Sequence, residues 1–229
     1  MFDHYLAFGD SLSIDEYVGP QCGAASLLFR NQDSLWPEFA GLDLVSYYPR
    51  CRFALQACNG ATLAGLWRQL TEAPAVVGRV LATVTVGAND VFLGLGKASQ
   101  QSAGYACGHF FGAEPVQGLM HWQQSLQRWL DCLQDQIPQV SVVLGNLYDP
   151  SDGSGVLPSG APFGAGFTNL EAVNDILRRV STQRGLALAD IHGHFCGRAV
   201  DLIQRDYEPT RAGSSEIRRV FWEAAQRLV

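Results

Sequence analysis

"RVLATVTVGAND", residues 79 to 90, decides the fold. From Val80 to Val86 the run carries no charge and is rich in β-branched residues. Such a run suits a strand buried on both faces, the habit of a parallel sheet covered by helices on each side. Gly87 then breaks it, and Asn89 and Asp90 follow directly at the strand's carboxyl end.

Working outward, strand-like and helix-like segments alternate along the whole chain. "YLAFG" (5–9), "RFALQAC" (52–58), "SVVLGNLY" (141–148) and "LALADI" (186–191) read as four more strands. Between them lie helix patterns. "SLWPEFAGLDL" (34–44) offers Ser34 as N-cap with Pro37 in the first turn, and "NGATLAGLWRQL" turns at Asn59-Gly60 into another helix. "LMHWQQSLQRWLDCLQDQIP" (119–138) places Trp122, Leu126, Trp129, Leu130 and Leu133 on one stripe and ends at Pro138. "TNLEAVNDILRRVSTQRG" (168–185) carries a Thr168/Glu171 capping box and Gly185 as terminator. "SSEIRRVFWEAAQRL" (214–228) closes as an amphipathic helix, with Ile217, Val220, Phe221, Ala224 and Leu228 facing inward. A Gly/Pro/Ser loop (149–166) separates the fourth strand from its helix. Strands joined through helices imply right-handed crossovers, hence an α/β three-layer sandwich around a five-stranded parallel sheet. The expected organisation is one domain over residues 1–229.

Bulk composition fits that reading. The 229 residues are 47% hydrophobic and 17% charged, enough for a sizeable core. The net charge of −6 and the lack of a basic run argue against a nucleic-acid partner. Lys97 is the only lysine. No stretch approaches the roughly 18 apolar residues of a membrane span. "MFDHYLAFGD" has no positive n-region or cleavage site, so a cytoplasmic location is expected. Six scattered cysteines (Cys22, Cys51, Cys58, Cys107, Cys132, Cys196) form no C-x-x-C pair and read as reduced, mostly buried thiols. Oligomeric state is not written in the sequence.

Ligands of such sheets bind beyond the carboxyl ends of the strands. "GDSLS" follows the first strand, with Ser11 expected near a helix start. "CNGAT" follows the second and exposes the Gly60 amide. "VGANDVF" follows the third and supplies the Asn89 carboxamide. Each has a plain structural use as a cap or turn. Together they supply a hydroxyl nucleophile and donors for an oxyanion, the parts needed for acyl transfer.

"GDSLS", "NGAT" and "GAND", in that order, resemble the first, glycine and G-x-N-D blocks of the GDSL, or SGNH, hydrolases. The resemblance spans nearly the whole chain. It implies the flavodoxin-like SGNH-hydrolase architecture and a small-molecule ester as substrate, with no cofactor or metal. It further implies that Ser11 attacks the ester carbonyl. The Ser11 and Gly60 amides and the Asn89 side chain would hold the oxyanion. The final family block, D-x-x-H-P, is altered: the chain reads "QRDYEPTRAGSSEI". Glu208 stands in the histidine slot and Arg205 in the aspartate slot, with Asp206 one position out of register.

Three solutions stay open. His192 or His194 of "IHGHF" could accept the proton with Glu208 orienting the ring. Glu208 could itself be the base, if burial raises its pKa. Or the site is silent and the module binds an acyl or glycan ligand. A flavin or nucleotide binder using "GDSLS" as a phosphate loop is a more distant option. His4 lies at the wrong end of strand one, His121 lies in the long helix, and His109 belongs to a segment without a clear pattern. Asp15 reads as an acid at a helix N-terminus, and Asp10 and Asp90 as loop-holding carboxylates. Asp149 and Asp152 lack EF-hand spacing, so their loop reads as a lid or rim. "CGHFFG" (107–112) is either acyl pocket or core.

Overall fold

The structure, a computed structural model, describes residues 1–95, 115–164 and 166–228. In chain order the elements are β1 (His4–Gly9), α1 (Ala24–Phe29), a 3-10 turn (Pro37–Phe39), α2 (Leu44–Tyr47), β2 (Arg52–Leu55), α3 (Leu63–Glu72), β3 (Val80–Thr85), α4 (Ala88–Leu95), α5 (Pro115–Gln136), β4 (Val140–Gly145), α6 (Gly166–Arg184), β5 (Ala187–Ala189), α7 (Ile191–Phe195), α8 (Ala199–Leu202), β6 (Ile203–Gln204), β7 (Glu208–Pro209) and α9 (Arg211–Gln226). The five-stranded sheet has the order β2-β1-β3-β4-β5, with every pairing parallel. A separate antiparallel hairpin joins β6 to β7, pairing Gln204 with Glu208. No described helix is long and apolar enough to cross a membrane.

Alternation along the strands builds two cores. Leu6, Phe8, Val80, Ala82, Val84, Val142 and Leu144 face one side, where they pack with residues of α3, α5 and α6. Tyr5, Ala7, Leu81, Val143 and Ala189 face the other and pack with residues of α1 and α9. Every residue of β3 is buried, as the sequence of its run requires. On the α5 stripe, Trp122, Leu126, Trp129, Leu130 and Leu133 are all fully buried. Burying side chains of this size contributes roughly 1.5–3 kcal/mol each.

Several local expectations differ from the observed chain. Ser11 does not open a helix: it sits in a turn, and α1 begins only at Ala24. Residues 34–44 form no continuous helix, only the 3-10 turn and the start of α2. The apolar pattern there is too short, between Pro37 and Gly41, to offset helix nucleation. Thr168 is not an N-cap, because α6 starts upstream at Gly166. "IHGHF" forms a short helix, capped by Asp190, whose side chain accepts from the Gly193 N–H. Thr210 caps α9, accepting from the Gly213 N–H, so that helix starts before residue 214. Among the described cysteines, all free, only Cys22 and Cys51 are buried, and Cys196 is exposed. Lys97, Cys107, His109 and the "CGHFFG" segment lie outside the described residues.

Candidate active site

The turn carrying Ser11 is bolted to the end of β3. Asp10 N–H donates to Thr85 Oγ1 (3.2 Å), and Ser13 Oγ and Thr85 Oγ1 lie 2.9 Å apart. Within the turn, Asp10 Oδ1 accepts from Leu12 N–H (3.2 Å). Gly9 has a φ of +129°, and a Cβ there would lie 2.1 Å from the Thr85 carbonyl oxygen, so only glycine lets β1 exit this close to β3. From α3, buried Gln69 clamps Gly9 twice, accepting from its N–H and donating to its carbonyl, both at 2.8 Å.

The second loop locks onto the first, and the third onto the second. Asn59 Nδ2 donates to Tyr17 Oη (2.7 Å) and to Glu16 Oε1 (3.2 Å). Gly60 takes the left-handed φ of +70°. At the start of α4, Asn89 Nδ2 donates to the Ala61 carbonyl (2.9 Å), which leaves the second hydrogen of that amide for another acceptor. Asp90 accepts from Leu63 N–H (3.1 Å) and so caps α3. Among the described residues, neither the Ser11 nor the Gly60 N–H donates to a protein acceptor.

Glu208 is carried by the β6–β7 hairpin. Arg205 and Asp206 form its tip with φ of 50° and 68°. The hairpin is tied down on several sides. Gln204 Nε2 donates to the Tyr17 carbonyl (3.1 Å), Asp206 Oδ1 accepts from Ser159 N–H (2.8 Å), and Tyr148 Oη donates to the Tyr207 carbonyl. Ser11 lies near enough to Glu208 for its hydroxyl to act on the carboxylate, whose Oε2 has no hydrogen-bond partner. Burial lifts the Glu208 pKa above the usual glutamate value. The Ser11 hydroxyl draws it back, nearby Asp10 and Glu16 push it up, and Arg205 lowers it. Beneath the site, burial raises Asp10 to about 6 and Asp90 to about 7.

The two histidines are engaged elsewhere. His192 Nδ1 lies 3.0 Å from the Leu147 carbonyl and 3.2 Å from Asn174 Nδ2, and its Nε2 lies 3.3 Å from Glu171. His194 Nε2 lies 2.5 Å from Glu216 Oε2, and that carboxylate also accepts from Arg219 Nε at 3.0 Å. Burial pushes the Glu216 carboxyl up, but His194 and Arg219 outweigh it and hold it below the usual range. Ser11, Glu208, Gly60 and Asn89 therefore belong to interlocked loops, whereas the imidazoles pair with carboxylates of α6 and α9.

The remaining acids serve structure. Asp15 accepts from Gly23 N–H (2.7 Å) and Ser26 Oγ (3.2 Å) at the start of α1. Asp149 accepts from Ser151 and Gly153 within its own loop, and Asp152 from Gly197 N–H. Among the described residues, no group of three or more His, Cys, Asp or Glu is arranged to hold a metal ion. Thr85 and Gln69 went unnoticed in the sequence. Their only signal is a polar residue in the buried run of β3 and another beside the Leu63–Leu66–Leu70 stripe of α3.

Residues 7–215 match the family model described as the GDSL-like lipase/acylhydrolase family. No curated protein matches the chain. Among solved structures, the chain is similar to a GDSL-like lipase from Parabacteroides merdae, at 14% identity over 98% of this chain and 96% of that one, with a TM-score of 0.67. It is similar to LAE5, an α/β hydrolase from the metagenome of Lake Arreo, at 18% identity over 99% and 96%, with a TM-score of 0.67. It is also similar to Axe2, an acetylxylan esterase from Geobacillus stearothermophilus, at 13% identity over 97% and 93%, with a TM-score of 0.66. At these identities the likeness shows a shared fold.

Proposed function

The chain belongs to the GDSL-like lipase/acylhydrolase family, and on that premise we propose that it is a serine esterase in which Glu208 replaces histidine as the base. Membership supports hydrolysis of carboxylic esters in general. The finer reading is supported by the nearness of Ser11 to Glu208, whose carboxyl burial makes more basic than usual.

A serine hydroxyl attacks poorly until its proton has an acceptor. Glu208 accepts that proton as Ser11 Oγ bonds to the ester carbonyl carbon. The carbonyl oxygen becomes an oxyanion, stabilised by the free N–H groups of Ser11 and Gly60 and by the spare hydrogen of Asn89 Nδ2. Collapse of the intermediate breaks the bond to the alcohol, which leaves with the proton held by Glu208. Water then attacks the acyl-serine, gives its proton to Glu208, and Ser11 is regenerated as the acid departs. An ordinary glutamate, at about 4.3, is a weak base, and a raised pKa narrows the gap to the operating pH. Asp10 and Glu16 supply part of that rise. A serine-to-alanine variant of the Geobacillus acetylxylan esterase is described as a catalytic mutant, which fits a serine nucleophile on this fold.

The test is turnover of short nitrophenyl esters by wild type and Ser11→Ala. Loss of turnover in the variant is expected. Retained turnover would remove Ser11 from the reaction.

A further inference from the structure

The tip of the β6–β7 hairpin carries a cation that the reaction above does not use. Arg205 is exposed and takes a φ of +50°, a conformation that costs any residue with a Cβ and is retained where it serves a purpose. Its guanidinium lies over the Tyr17 ring, 5.5 Å from the centroid. Tyr17 is itself held firmly. Asn59 Nδ2 donates to its hydroxyl (2.7 Å), Gln204 Nε2 to its carbonyl (3.1 Å), and Arg211 Nε to the adjoining Val18 carbonyl (2.7 Å). The two carboxylates best placed in the chain to neutralise Arg205 are turned elsewhere. Asp206, the next residue, accepts from Ser159 N–H, and Glu16, beside Tyr17, accepts from Asn59. Among the described residues, Arg205 makes no ion pair.

We propose that Arg205 is the specificity-determining residue of a subsite for an anionic group, a carboxylate or a phosphate, on the alcohol part of the ester. The inference rests on the serine-esterase reading above and adds its substrate class. Glu208 hands its proton to the departing alcohol, so the alcohol leaves beside the β6–β7 hairpin. Arg205 sits at the turn of that hairpin, just before Glu208, and its charge reaches the Glu208 carboxyl. Tyr17 follows on from the Ser11 turn, and Asn59, which holds its hydroxyl, adjoins Gly60. The cation over its ring therefore lies along the rim shared by these loops. The charge at this position is also reversed: where the D-x-x-H pattern has an aspartate, this chain has Arg205. A planar guanidinium presents paired N–H donors that match the edge of a carboxylate or phosphate. The chain as a whole carries a net charge of −6, which disfavours anions, so a preference for an anionic ester has to come from a local cation.

The experiment compares kcat/KM for meta-acetoxybenzoate, meta-acetoxyphenyl phosphate and the uncharged meta-acetoxybenzamide in wild type, Arg205→Gln, Arg205→Glu and Ser11→Ala. The readout is the ratio of each anionic ester to the amide within one enzyme, which cancels any loss of folded protein and any change in Glu208 basicity. Wild type should favour at least one anion by about fivefold, the worth of an exposed charge pair, and the larger ratio identifies the group. Arg205→Gln should lose that preference, and Arg205→Glu should turn it into a preference for the amide. No anionic preference in wild type, or one unchanged in Arg205→Gln, with Ser11→Ala inactive on every ester, would overturn the anion subsite and leave the esterase reading standing. Turnover that survives in Ser11→Ala would overturn both.

Discussion

Replacing Glu208 with glutamine separates its chemistry from its packing. Glutamine keeps the shape of the side chain but cannot take a proton from Ser11 at neutral pH. General-base assistance is typically worth 10²–10⁴-fold, or about 3–5 kcal/mol of transition-state stabilisation. Glu208→Gln should therefore lose kcat by that factor with little change in KM. Stability should move the other way. Burial raises the carboxyl's pKa in the folded chain, so its contribution to stability is fully present below the unfolded value and is lost as pH rises through the folded one. At neutral pH the wild type carries a half-buried charge whose Oε2 has no hydrogen-bond partner. The neutral amide removes that charge, so Tm at pH 7 should rise, and the gap should close below about pH 4. The assay pairs ester kinetics with thermal melts across pH. The wild-type acid limb of kcat/KM should lie above the ordinary glutamate range, with activity increasing as Glu208 deprotonates. A variant that keeps turnover within a few-fold, or one that loses it by melting well below wild type, would refute the reasoning.

Asn89→Ala should cost kcat about 10²–10³-fold, the loss expected for one oxyanion donor, and steady-state kinetics on a short ester will show it. His192→Ala and His194→Ala should each retain turnover within a few-fold in the same assay, because their rings pair with Glu171 and Glu216. Loss of turnover in either would return the base to α7. Asp10 and Asp90 are raised by burial to about 6 and about 7. Their stabilising contribution is present below the ordinary aspartate value and fades as pH climbs through those folded values. Tm should therefore increase as pH drops from about 8 to about 5, and a decrease over that window would contradict the assignment.

The sheet was legible because each strand announces itself alone. Val80–Val86 is uncharged and rich in β-branched residues, and turn residues follow the first three strand-like runs. The short helix Ala24–Phe29 was not legible, since six residues give no helical period to read, and Asp15, which holds the Gly23 N–H ahead of it, reaches it across a loop. Ser11, Gly60 and Asn89 were visible as strand-end residues in ordered motifs. Glu208 was visible through its register with Pro209. The partners of the histidines were not. Glu171 and Glu216 belong to helices whose packing brings them to α7, and no spacing within "IHGHF" encodes that. The same holds for Gln69, which reaches Gly9 across 60 positions of sequence. Expecting Ser11 at a helix start failed for a related reason: Thr85, a residue of another strand, holds the turn in place.

The most direct test of Ser11 acting with Glu208 is covalent trapping with an alkyl fluorophosphonate, followed by intact mass and peptide mapping. One adduct on Ser11 is expected, absent in Ser11→Ala and formed about 100-fold more slowly in Glu208→Gln. An unmodified protein, an adduct on another residue, or an unchanged rate in Glu208→Gln would contradict it.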